Sequence, residues 1–506
     1  MLARLAAVAL GVLLSVLLLA LVELSLRAFG VAAGTPRHDP FAGFGSSVPM
    51  FEPVDATTMR LAPARLIGGR VELDPEDGRE FLRQRRPHSF RAFVIGESSA
   101  AGVPYPPRLS FAAWLERLLT LALPDLHVEV VNAALSGYAS RRLLPVVQEI
   151  AGYEPDLVIF YLGHNEWAER TYYAHLIDLD PRLFRLWQWG VDTRLYRVFS
   201  GWYRAGRNPF GNPPTLEKDA YTNSLEMFAV LQDRAGGQQI ATARDLAYRD
   251  LLYEHNLDAM ADLAQAAGAR TLFLTLSQNF SDWAPGASRH RADLAPASLE
   301  RFDALVARGR QARDRGDCGA ALEAFSEALA IDAEFAELHF ELAACQRALG
   351  ELEAARRHYR LASDLDRVPH GAPTWFNDVI RRVARGHAAP VVDVDALFEA
   401  ESGPALVGDD FFVDWLHPNL RGHMRIAEAI AAEMRRDGIP IESGGWRDLP
   451  PLPMLTPDPP LRVREEEMRL RACTLALRDA CVRTTAEALL RLDPEHAEAR
   501  AALARW

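Results

Sequence analysis

The sequence predicts an α/β protein whose parallel sheet has helices on both faces and whose sheet domain carries an inserted all-α segment. Two observations indicate this fold class. Apolar strand-like segments alternate with amphipathic helical segments from Arg91 onward, and five positions inside that region recur with a period of 34 residues. Strands that alternate with helices are typical of a parallel sheet, and a fixed period of this length is typical of helical repeats.

The composition bounds the class of protein. The chain has 506 residues, of which 49% are hydrophobic and 25% charged, as in a globular protein with a sizeable core. The net charge of −12 excludes nucleic acid as the main partner, because phosphate binding needs clustered Lys and Arg. The cysteines show no Cys-x-x-Cys pairing, so we expect no disulfide framework and no zinc site, and we interpret them as small core residues. They are Cys318, Cys345, Cys473 and Cys481.

The N-terminus carries an uncharged apolar run from Leu5 to Val22. A helix of that length spans about 27 Å, close to the thickness of a bilayer core. A cleavable signal has a shorter apolar region and a small-x-small cleavage site, and neither is found here. We therefore expect an uncleaved transmembrane anchor in residues 1–30, and the flanking charges favour an extracytoplasmic location for the chain that follows it.

Five apolar segments predict the strands of the sheet. They are RAFVIG from Arg91, HVEVVNAAL from His127, LVIFYLG from Leu157, RTLFLTLS from Arg270 and APVVDVDAL from Ala389. Ligands of such sheets bind beyond the carboxyl ends of the strands. Candidate site residues should therefore follow the strand segments.

A repeat interrupts the region between the fourth and fifth strands. The first copy has Gly316, Ala321, Phe325, Ala328 and Asp332, and the second has Gly350, Ala355, Tyr359, Ala362 and Asp366. This pattern resembles tetratricopeptide repeats, in which small residues let the two helices of a hairpin pack closely. We expect two antiparallel helical hairpins over 300–368. Such repeats usually bind peptides or proteins, and a purely structural cap is an equally open interpretation.

Three motifs follow the first three strands. Ser98 lies in GESSAAG, Gly137 in LSGYA and Asn165 in GHNEW. A serine becomes a nucleophile when a base takes its proton, and N–H groups beside it can hold an oxyanion. Each motif alone is an ordinary turn, but the three in order predict one site.

The stretch DFFVDWLHPNLRGH supplies a candidate base. Asp414 lies three residues before His417, and Pro418 prevents a helix from running through the histidine. A ring nitrogen held beside a carboxylate is how a general base is oriented. An Asp and a His at this spacing are more often surface residues, so the base is predicted only together with the three strand-end motifs.

Together these motifs resemble those of the SGNH (GDSL-type) hydrolase superfamily. The resemblance implies a flavodoxin-like three-layer α/β/α fold. It also implies that Ser98 is the nucleophile, that His417 is the base and that Asp414 orients it. The oxyanion hole would comprise the backbone N–H groups of Ser98 and Gly137 and the side chain of Asn165.

The resemblance covers roughly 91–167 and 245–435. Gly102, four residues after the serine, also fits the first block of the family. Glu97 and Glu166 each stand where the family usually has Asp, and neither position has a catalytic role there. The departures leave the implied mechanism unchanged.

A rival fold is that of the α/β-hydrolases, because GESSA nearly matches their Gly-x-Ser-x-Gly elbow. Those enzymes usually draw acid and base from separate loops, whereas Asp414 and His417 are three residues apart. The motifs at Gly137 and Asn165 would also go unexplained. The SGNH fold is therefore preferred.

The chain divides into an anchor, a linker, the SGNH-type domain, a second linker and a helical tail. The predicted bounds are 1–30 for the anchor, 31–90 for the linker, 91–440 for the domain with insertions at 168–240 and 295–370, 441–461 for the Pro-rich linker and 462–506 for the repeat-like C-terminal segment. The 168–240 insertion is rich in aromatic residues and arginine. We interpret it as a helical subdomain with inward aromatic side chains, with a lid, a membrane-facing surface or an acyl-chain groove as alternatives.

The sequence thus predicts a membrane-anchored serine esterase that needs no metal and no cofactor. An outward-facing anchor favours acyl esters of a cell-surface glycan or a lipid as substrate. Water or a sugar hydroxyl can attack the acyl-enzyme, so an O-acyltransferase is the alternative among enzymes. A non-catalytic scaffold that binds a protein partner through the repeats, with a vestigial hydrolase core, is the alternative from another class.

Overall fold

The fold was obtained as a computed structural model. It describes residues 2–32, 49–61, 80–172, 180–191, 193–207, 242–368, 371–440, 445–452, 455–475 and 478–504. Much of the predicted linker 31–90 and of the insertion 168–240 lies outside these ranges.

The described strands form two sheets. They are β1 (Phe51–Pro53), β2 (Thr58–Leu61), β3 (Glu80–Leu82), β4 (Ser89–Gly96), β5 (His127–Asn132), β6 (Leu157–Tyr161), β7 (Arg270–Leu274) and β8 (Val391–Val392). The last five form a parallel sheet in the order β5-β4-β6-β7-β8. Numbered within the sheet this is 2-1-3-4-5, the flavodoxin-like order that the SGNH resemblance implied.

Helices cover both faces of the parallel sheet and build the insertions. They are α1 (Leu2–Ala28), α2 (Ser98–Ala101), α3 (Phe111–Ala122), α4 (Ser140–Ile150), α5 (Glu166–Tyr172), α6 (Pro181–Val191), α7 (Arg194–Arg207), α8 (Ala243–Ala266), α9 (Pro296–Asp314), α10 (Cys318–Leu329), α11 (Ala336–Ala348), α12 (Leu352–Asp364), α13 (Phe376–Gly386), α14 (Val394–Ser402), α15 (Leu420–Arg436), α16 (Pro459–Leu475), α17 (Asp479–Leu492) and α18 (Ala497–Leu503).

The central strand β4 is buried along its whole length. A strand of a parallel sheet is covered by helices on both faces, so it is largely apolar instead of alternating, and its buried Arg91 pairs with Glu129 of β5. In register, Val94 pairs with Asn132 of β5 and with Ile159 of β6. The carboxyl ends of these three neighbouring strands therefore lie at nearly the same level.

The fifth predicted strand is shorter than expected. Only Val391 and Val392 pair with β7, because Asp393 already caps the next helix. Its side chain accepts the backbone N–H of Ala396 at 3.1 Å. The segment APVVDVDAL is thus two residues of strand followed by the start of α14.

Part of the predicted linker is folded onto the core. Strands β1, β2 and β3 form an antiparallel sheet. Phe51 and Phe81 of this sheet make edge contacts with each other and with Phe93 of β4, at ring-centre distances of 4.9 to 6.3 Å. The small sheet therefore extends the main hydrophobic core.

The N-terminal apolar run lies within one helix, α1, which exposes many of its leucine side chains. Within the part of the chain that the structure describes, no helix combines the length and apolarity needed for a membrane crossing. The transmembrane span predicted from the sequence is therefore not supported.

The described part of the aromatic-rich insertion also differs from the preferred interpretation. Trp189 is 69% and Trp202 70% exposed, so these rings do not pack inward.

The repeat forms the two predicted hairpins, α9 with α10 and α11 with α12, between β7 and β8. The first hairpin packs around a cluster that is separate from the main core. This cluster contains Ala321 and Phe325 and is shared with Leu342 of α11. Ala355 and Tyr359 of α12 instead belong to the main core. The insertion is therefore not autonomous, since its second hairpin packs onto the sheet domain.

The C-terminal helices correct the prediction for the cysteines. Cys473 of α16 and Cys481 of α17 are joined by a disulfide, with their Cα atoms 5.6 Å apart. Cys318 and Cys345 are free. Two cysteines eight residues apart have no recognisable pairing motif in the sequence, so the bond is evident only once the two helices are folded.

Candidate active site

The sheet order brings the three strand-end motifs together. Ser98 follows β4, and the loops after β5 and β6 hold Gly137 and Asn165. Because β4 lies between β5 and β6, the serine loop has one of the other two loops on each side. The point where a 2-1-3-4-5 sheet reverses its strand order is where ligands bind.

Ser98, His417 and Asp414 form a continuous hydrogen-bonded chain. The Oγ of Ser98 lies 2.7 Å from Nε2 of His417, and Nδ1 of His417 lies 2.8 Å from Oδ2 of Asp414. A carboxylate can only accept, so the ring proton is assigned to Nδ1 and the free lone pair of Nε2 faces the serine hydroxyl. This is the tautomer that a base needs to take the proton of the serine.

Asp414 is fully buried and fully engaged. Its Oδ1 accepts the backbone N–H groups of Leu416 and His417, each at 2.9 Å. Burial raises the pKa of Asp414, but the charge of His417 and these hydrogen bonds outweigh it, so the pKa lies below its ordinary value. The carboxylate therefore stays ionised opposite the imidazole.

The loop that carries the histidine is closed on itself. The backbone N–H of Val413 donates to the carbonyl of His417 at 2.9 Å, and Phe412 and Pro418 form an isolated bridge. The side chain of Asn419 then caps α15 by accepting the N–H of Gly422 at 3.0 Å. The pair His417-Pro418 thus ends the loop, and Asn419 starts the helix.

The two further oxyanion candidates are tied to one another. Gly137 has φ +72°, a backbone conformation that favours glycine. The side-chain Nδ2 of Asn165 donates to the carbonyl of Tyr138 at 3.0 Å. One amide hydrogen of Asn165 is therefore used to orient the side chain, which leaves the second for a substrate.

Glu97 has a structural role that the sequence did not predict. Its buried carboxylate accepts the backbone N–H groups of Gly163 at 3.0 Å, His164 at 2.9 Å and Asn165 at 3.2 Å. Burial and then the charge of Glu166 raise its pKa well above the ordinary value, against the lowering effect of these bonds. The residue before the nucleophile thus fixes the loop that carries Asn165.

Glu166 and Glu169 fix the loop of Gly137 in the same way. Glu166 accepts from the backbone N–H of Ser140 at 2.7 Å, and Glu169 accepts from Nε of Arg142 at 2.6 Å. Burial and then the charge of Glu169 raise the pKa of Glu166 to about 8. The Arg142 guanidinium also donates to the carbonyl of Gly137. In the sequence, the one sign that Glu166 holds the loop of Gly137 is that it replaces the Asp that usually follows the asparagine.

Two other histidines lie near His417 and are held neutral. His164 and His423 are buried, and burial and then the charge of His417 lower the pKa of each to about 3. Nδ1 of His164 accepts the N–H of Ala372 at 3.1 Å, so its ring proton is on Nε2. Of the three histidines, His417 is the one whose ring is hydrogen-bonded to Ser98, and it is therefore the candidate base.

Comparison with protein families identifies the repeat segment. The family model described as "Tetratricopeptide repeat" matches residues 312–370. The match covers most of the two hairpins and confirms the prediction from the 34-residue period. None of the curated proteins compared with the chain matches it.

The solved structures that resemble this chain include an acetylxylan esterase and a GDSL-like lipase. Axe2, an acetylxylan esterase from Geobacillus stearothermophilus, is 13% identical with a TM-score of 0.30, over 69% of this chain and 95% of that one. A GDSL-like lipase from Bacteroides thetaiotaomicron is 10% identical with a TM-score of 0.29, over 69% and 88%. TesA is 15% identical with a TM-score of 0.28, over 68% and 98%.

At these identities no activity is carried from those proteins to this chain. Its own features are the 2-1-3-4-5 parallel sheet, the motif residues beyond three adjacent strands and the hydrogen-bonded chain from Ser98 through His417 to Asp414. They are the features that the SGNH (GDSL-type) resemblance implied, in an α/β fold that carries an inserted tetratricopeptide repeat.

Proposed function

We propose that this chain is an SGNH-type serine esterase, with the contact between Ser98 and His417 as the observation that carries the proposal. The Oγ of Ser98 attacks the carbonyl carbon of an acyl ester while Nε2 of His417 takes the hydroxyl proton. Collapse of the tetrahedral intermediate breaks the bond to the alcohol, and His417 returns the proton to the leaving oxygen. The acyl group is then on Ser98.

The negative charge that develops on the carbonyl oxygen needs donors already in place. We assign this role to the backbone N–H groups of Ser98 and Gly137 and to the side chain of Asn165. Ser98 begins α2, so its N–H has no acceptor within the helix. The hydrogen bonds of Glu97 and Glu166 hold the two neighbouring loops, which keeps these donors oriented before the reaction.

Release of the acyl group requires a second nucleophile, which His417 activates in the same way. Water gives hydrolysis, and an alcohol gives transfer to a new ester. Turnover of a short-chain aryl ester by the purified protein tests the esterase proposal. Absence of turnover in the folded wild type, together with absence of fluorophosphonate labelling, would leave the scaffold alternative standing.

We also infer that the chain associates with a lipid surface through α1, α6 and α7. Glu23 of α1 accepts the backbone N–H groups of Arg194 and Leu195 at 3.0 and 2.9 Å, which joins α7 to α1. Helices α6 and α7 contain six arginines and no acidic residue. Exposed tryptophan beside arginine is typical of helices that lie in a membrane interface.

Sedimentation with vesicles of phosphatidylglycerol tests this association. Binding should weaken in Trp189→Ser and Trp202→Ser, and should persist in Trp375→Ser, which changes a partly exposed tryptophan on the sheet domain. Equal binding by all three variants would contradict the inference. An extracytoplasmic location, and with it a cell-surface glycan or lipid as substrate, is a further proposal that protease accessibility in intact cells would test.

The matched tetratricopeptide repeat supports one more proposal, that the repeat segment binds a protein partner. Its two hairpins follow one another and expose the outer sides of α9 and α10. Cross-linking in cells, with mapping of the cross-linked peptides, tests it. Cross-links confined to other parts of the chain would contradict it.

A further inference from the structure

The C-terminal helix α16 lies directly against the loop that carries the candidate acid and base. Nε of Arg469 donates to the carbonyl of Val413 at 3.0 Å, and its Nη1 lies 2.9 Å from Oδ2 of Asp409. Val413 immediately precedes Asp414. The guanidinium of Arg469 thus binds two residues of the loop that precede the acid Asp414, namely Asp409 and Val413.

Asp409 extends this contact to Asp414 itself. Its Oδ1 accepts from Nδ2 of Asn279 at 2.8 Å, and the same amide nitrogen donates to the carbonyl of Asp414 at 3.1 Å. The backbone N–H of Asn279 also donates to the carbonyl of Trp415 at 2.9 Å. A continuous polar chain therefore runs from Arg469 through Asp409 and Asn279 to the acid.

A second contact reaches both the serine and the histidine loops. The hydroxyl of Tyr105, in the turn after α2, donates to Glu465 of α16. The same oxygen accepts the backbone N–H of Leu420 at 2.9 Å. Leu420 begins α15, three residues after His417, so Glu465 holds a tyrosine that bridges the two loops.

Apolar packing supports these polar contacts. Trp415 lies between the acid and the base in the chain, and its ring is 5.3 Å from that of Trp283. Both rings join the hydrophobic cluster of the C-terminal helices, which includes Leu470. Met468 of α16 is fully buried in the main core. The helix is therefore anchored on both sides of Arg469.

We propose that the C-terminal helical segment, 459–503, is part of the catalytic unit and that Arg469 is a positioning residue for Asp414 and His417. The inference rests on the proposed esterase function. Arg469 acts through the backbone of Val413 and through Asp409, and it fixes the direction in which the acid presents the imidazole to Ser98. A small displacement of an oriented base lowers the rate of reaction without changing how substrate binds.

Arg471 provides a matched control on the same helix. It pairs with Glu498 at 3.0 Å, inside the C-terminal segment and away from the loop. Its side chain is 21% exposed and that of Arg469 is 28% exposed. The two arginines therefore make ion pairs in similar surroundings, and Arg469 is the one whose hydrogen bonds within the described ranges reach the loop of Asp414.

The test compares Arg469→Met, Arg469→Lys and Arg471→Met in the full-length protein. Ester turnover gives kcat and KM, and fluorophosphonate labelling gives a rate constant and a final labelled fraction. We expect Arg469→Met to lower kcat and the labelling rate constant together, by about 10- to 100-fold, with KM unchanged. Arg469→Lys should be intermediate, because an ammonium lacks the fork that reaches both acceptors. Arg471→Met should match the wild type.

The two labelling readouts separate positioning from simple loss of stability. A variant that loses its fold without refolding during the assay has a lower labelled fraction with an unchanged rate constant, and that result for Arg469→Met would overturn the inference. Urea unfolding under the assay conditions verifies that each compared variant is almost wholly folded, so that a lower rate constant reflects the folded protein. Wild-type rate constants in Arg469→Met would overturn it as well. If the wild type itself is not labelled, the proposed esterase function fails and this inference fails with it.

Discussion

Both carboxylate oxygens of Glu97 accept the backbone N–H of Asn165, each at 3.2 Å. The residue before the candidate nucleophile thus fixes the position of an oxyanion candidate from a different strand. It does so across the switch point of the sheet, where β4 and β6 lie side by side. Glu97 therefore ties the loop that carries Ser98 to the loop that carries Asn165.

The first prediction concerns this carboxylate. In Glu97→Gln an amide NH2 group replaces one acceptor and faces backbone N–H groups. We expect the free energy of unfolding to fall by about 1–3 kcal/mol and kcat to fall because Asn165 is displaced. Glu433→Gln is the control, because Glu433 is also buried but pairs with Arg436 at the far end of α15. Denaturation curves and ester turnover of both variants provide the check, and equal kcat values in the two would refute the role of Glu97.

The second prediction concerns the side chain of Asn165. Asn165→Ala should lower kcat by about 10²–10³ if the amide holds the oxyanion. Asn377→Ala removes another buried amide, which pairs with the backbone of Leu276, and should cost stability without this loss of rate. Single-turnover kinetics with both variants measures the difference. Unchanged kcat in folded Asn165→Ala would remove this residue from the oxyanion hole.

The third prediction concerns the dependence of stability on pH. Burial and the charge of Glu169 raise the pKa of Glu166 from its ordinary 4.5 to about 8 in the folded chain. A raised pKa means that the folded state keeps a proton which the unfolded state has lost. The stability from this group is therefore full below pH 4.5 and is lost as the pH rises to about 8.

Urea unfolding at pH 5 and pH 8 measures this effect. The wild type should lose stability on the order of a few kcal/mol between the two values, and Glu166→Gln should lose less. A wild type and a Glu166→Gln variant with the same dependence on pH would contradict the assignment to this carboxyl group.

The fourth prediction concerns the repeat. Ala321→Trp should destabilise the first hairpin by about 1–3 kcal/mol through overpacking, while Ser98 stays reactive, because Ala321 lies in a separate cluster. Ala355→Trp makes the same change in the second hairpin, whose alanine lies in the main core. It should lower the labelled fraction of Ser98 as well. Thermal unfolding and labelling of both variants give the result, and equal labelling in the two would show that the second hairpin is independent.

The site was predictable where its signal is local in the sequence. Asp414 and His417 are three residues apart, and His-Pro followed by Asn predicts a bend and a new helix. Ser98 comes two residues after the apolar run AFVIG, so its place at the edge of the sheet follows from the pattern alone. The 34-residue period likewise identified the hairpins before any fold was known.

What the sequence did not reveal depends on contacts between distant segments. Glu97 looked like a neutral replacement, because its partners lie 66 to 68 residues further along the chain. Arg469 gave no signal, since it lies 56 residues from Val413 and outside the predicted sheet domain. Ser99 follows the candidate nucleophile directly, and its hydroxyl donates to the carbonyl of Leu416 at 3.1 Å, next to the base. Only the folded arrangement of the loops identifies such partners.

The most direct test of the central claim is to map the residue that reacts with a fluorophosphonate. We predict a single adduct on the peptide that contains Ser98. The adduct should be absent in Ser98→Ala and should form several orders of magnitude more slowly in His417→Ala. Its rate of formation should fall less in Asp414→Ala, because the imidazole then keeps its lone pair but loses its orientation. Circular dichroism confirms that each variant is folded. Full ester turnover in folded Ser98→Ala, or an adduct on a different residue, would contradict the account.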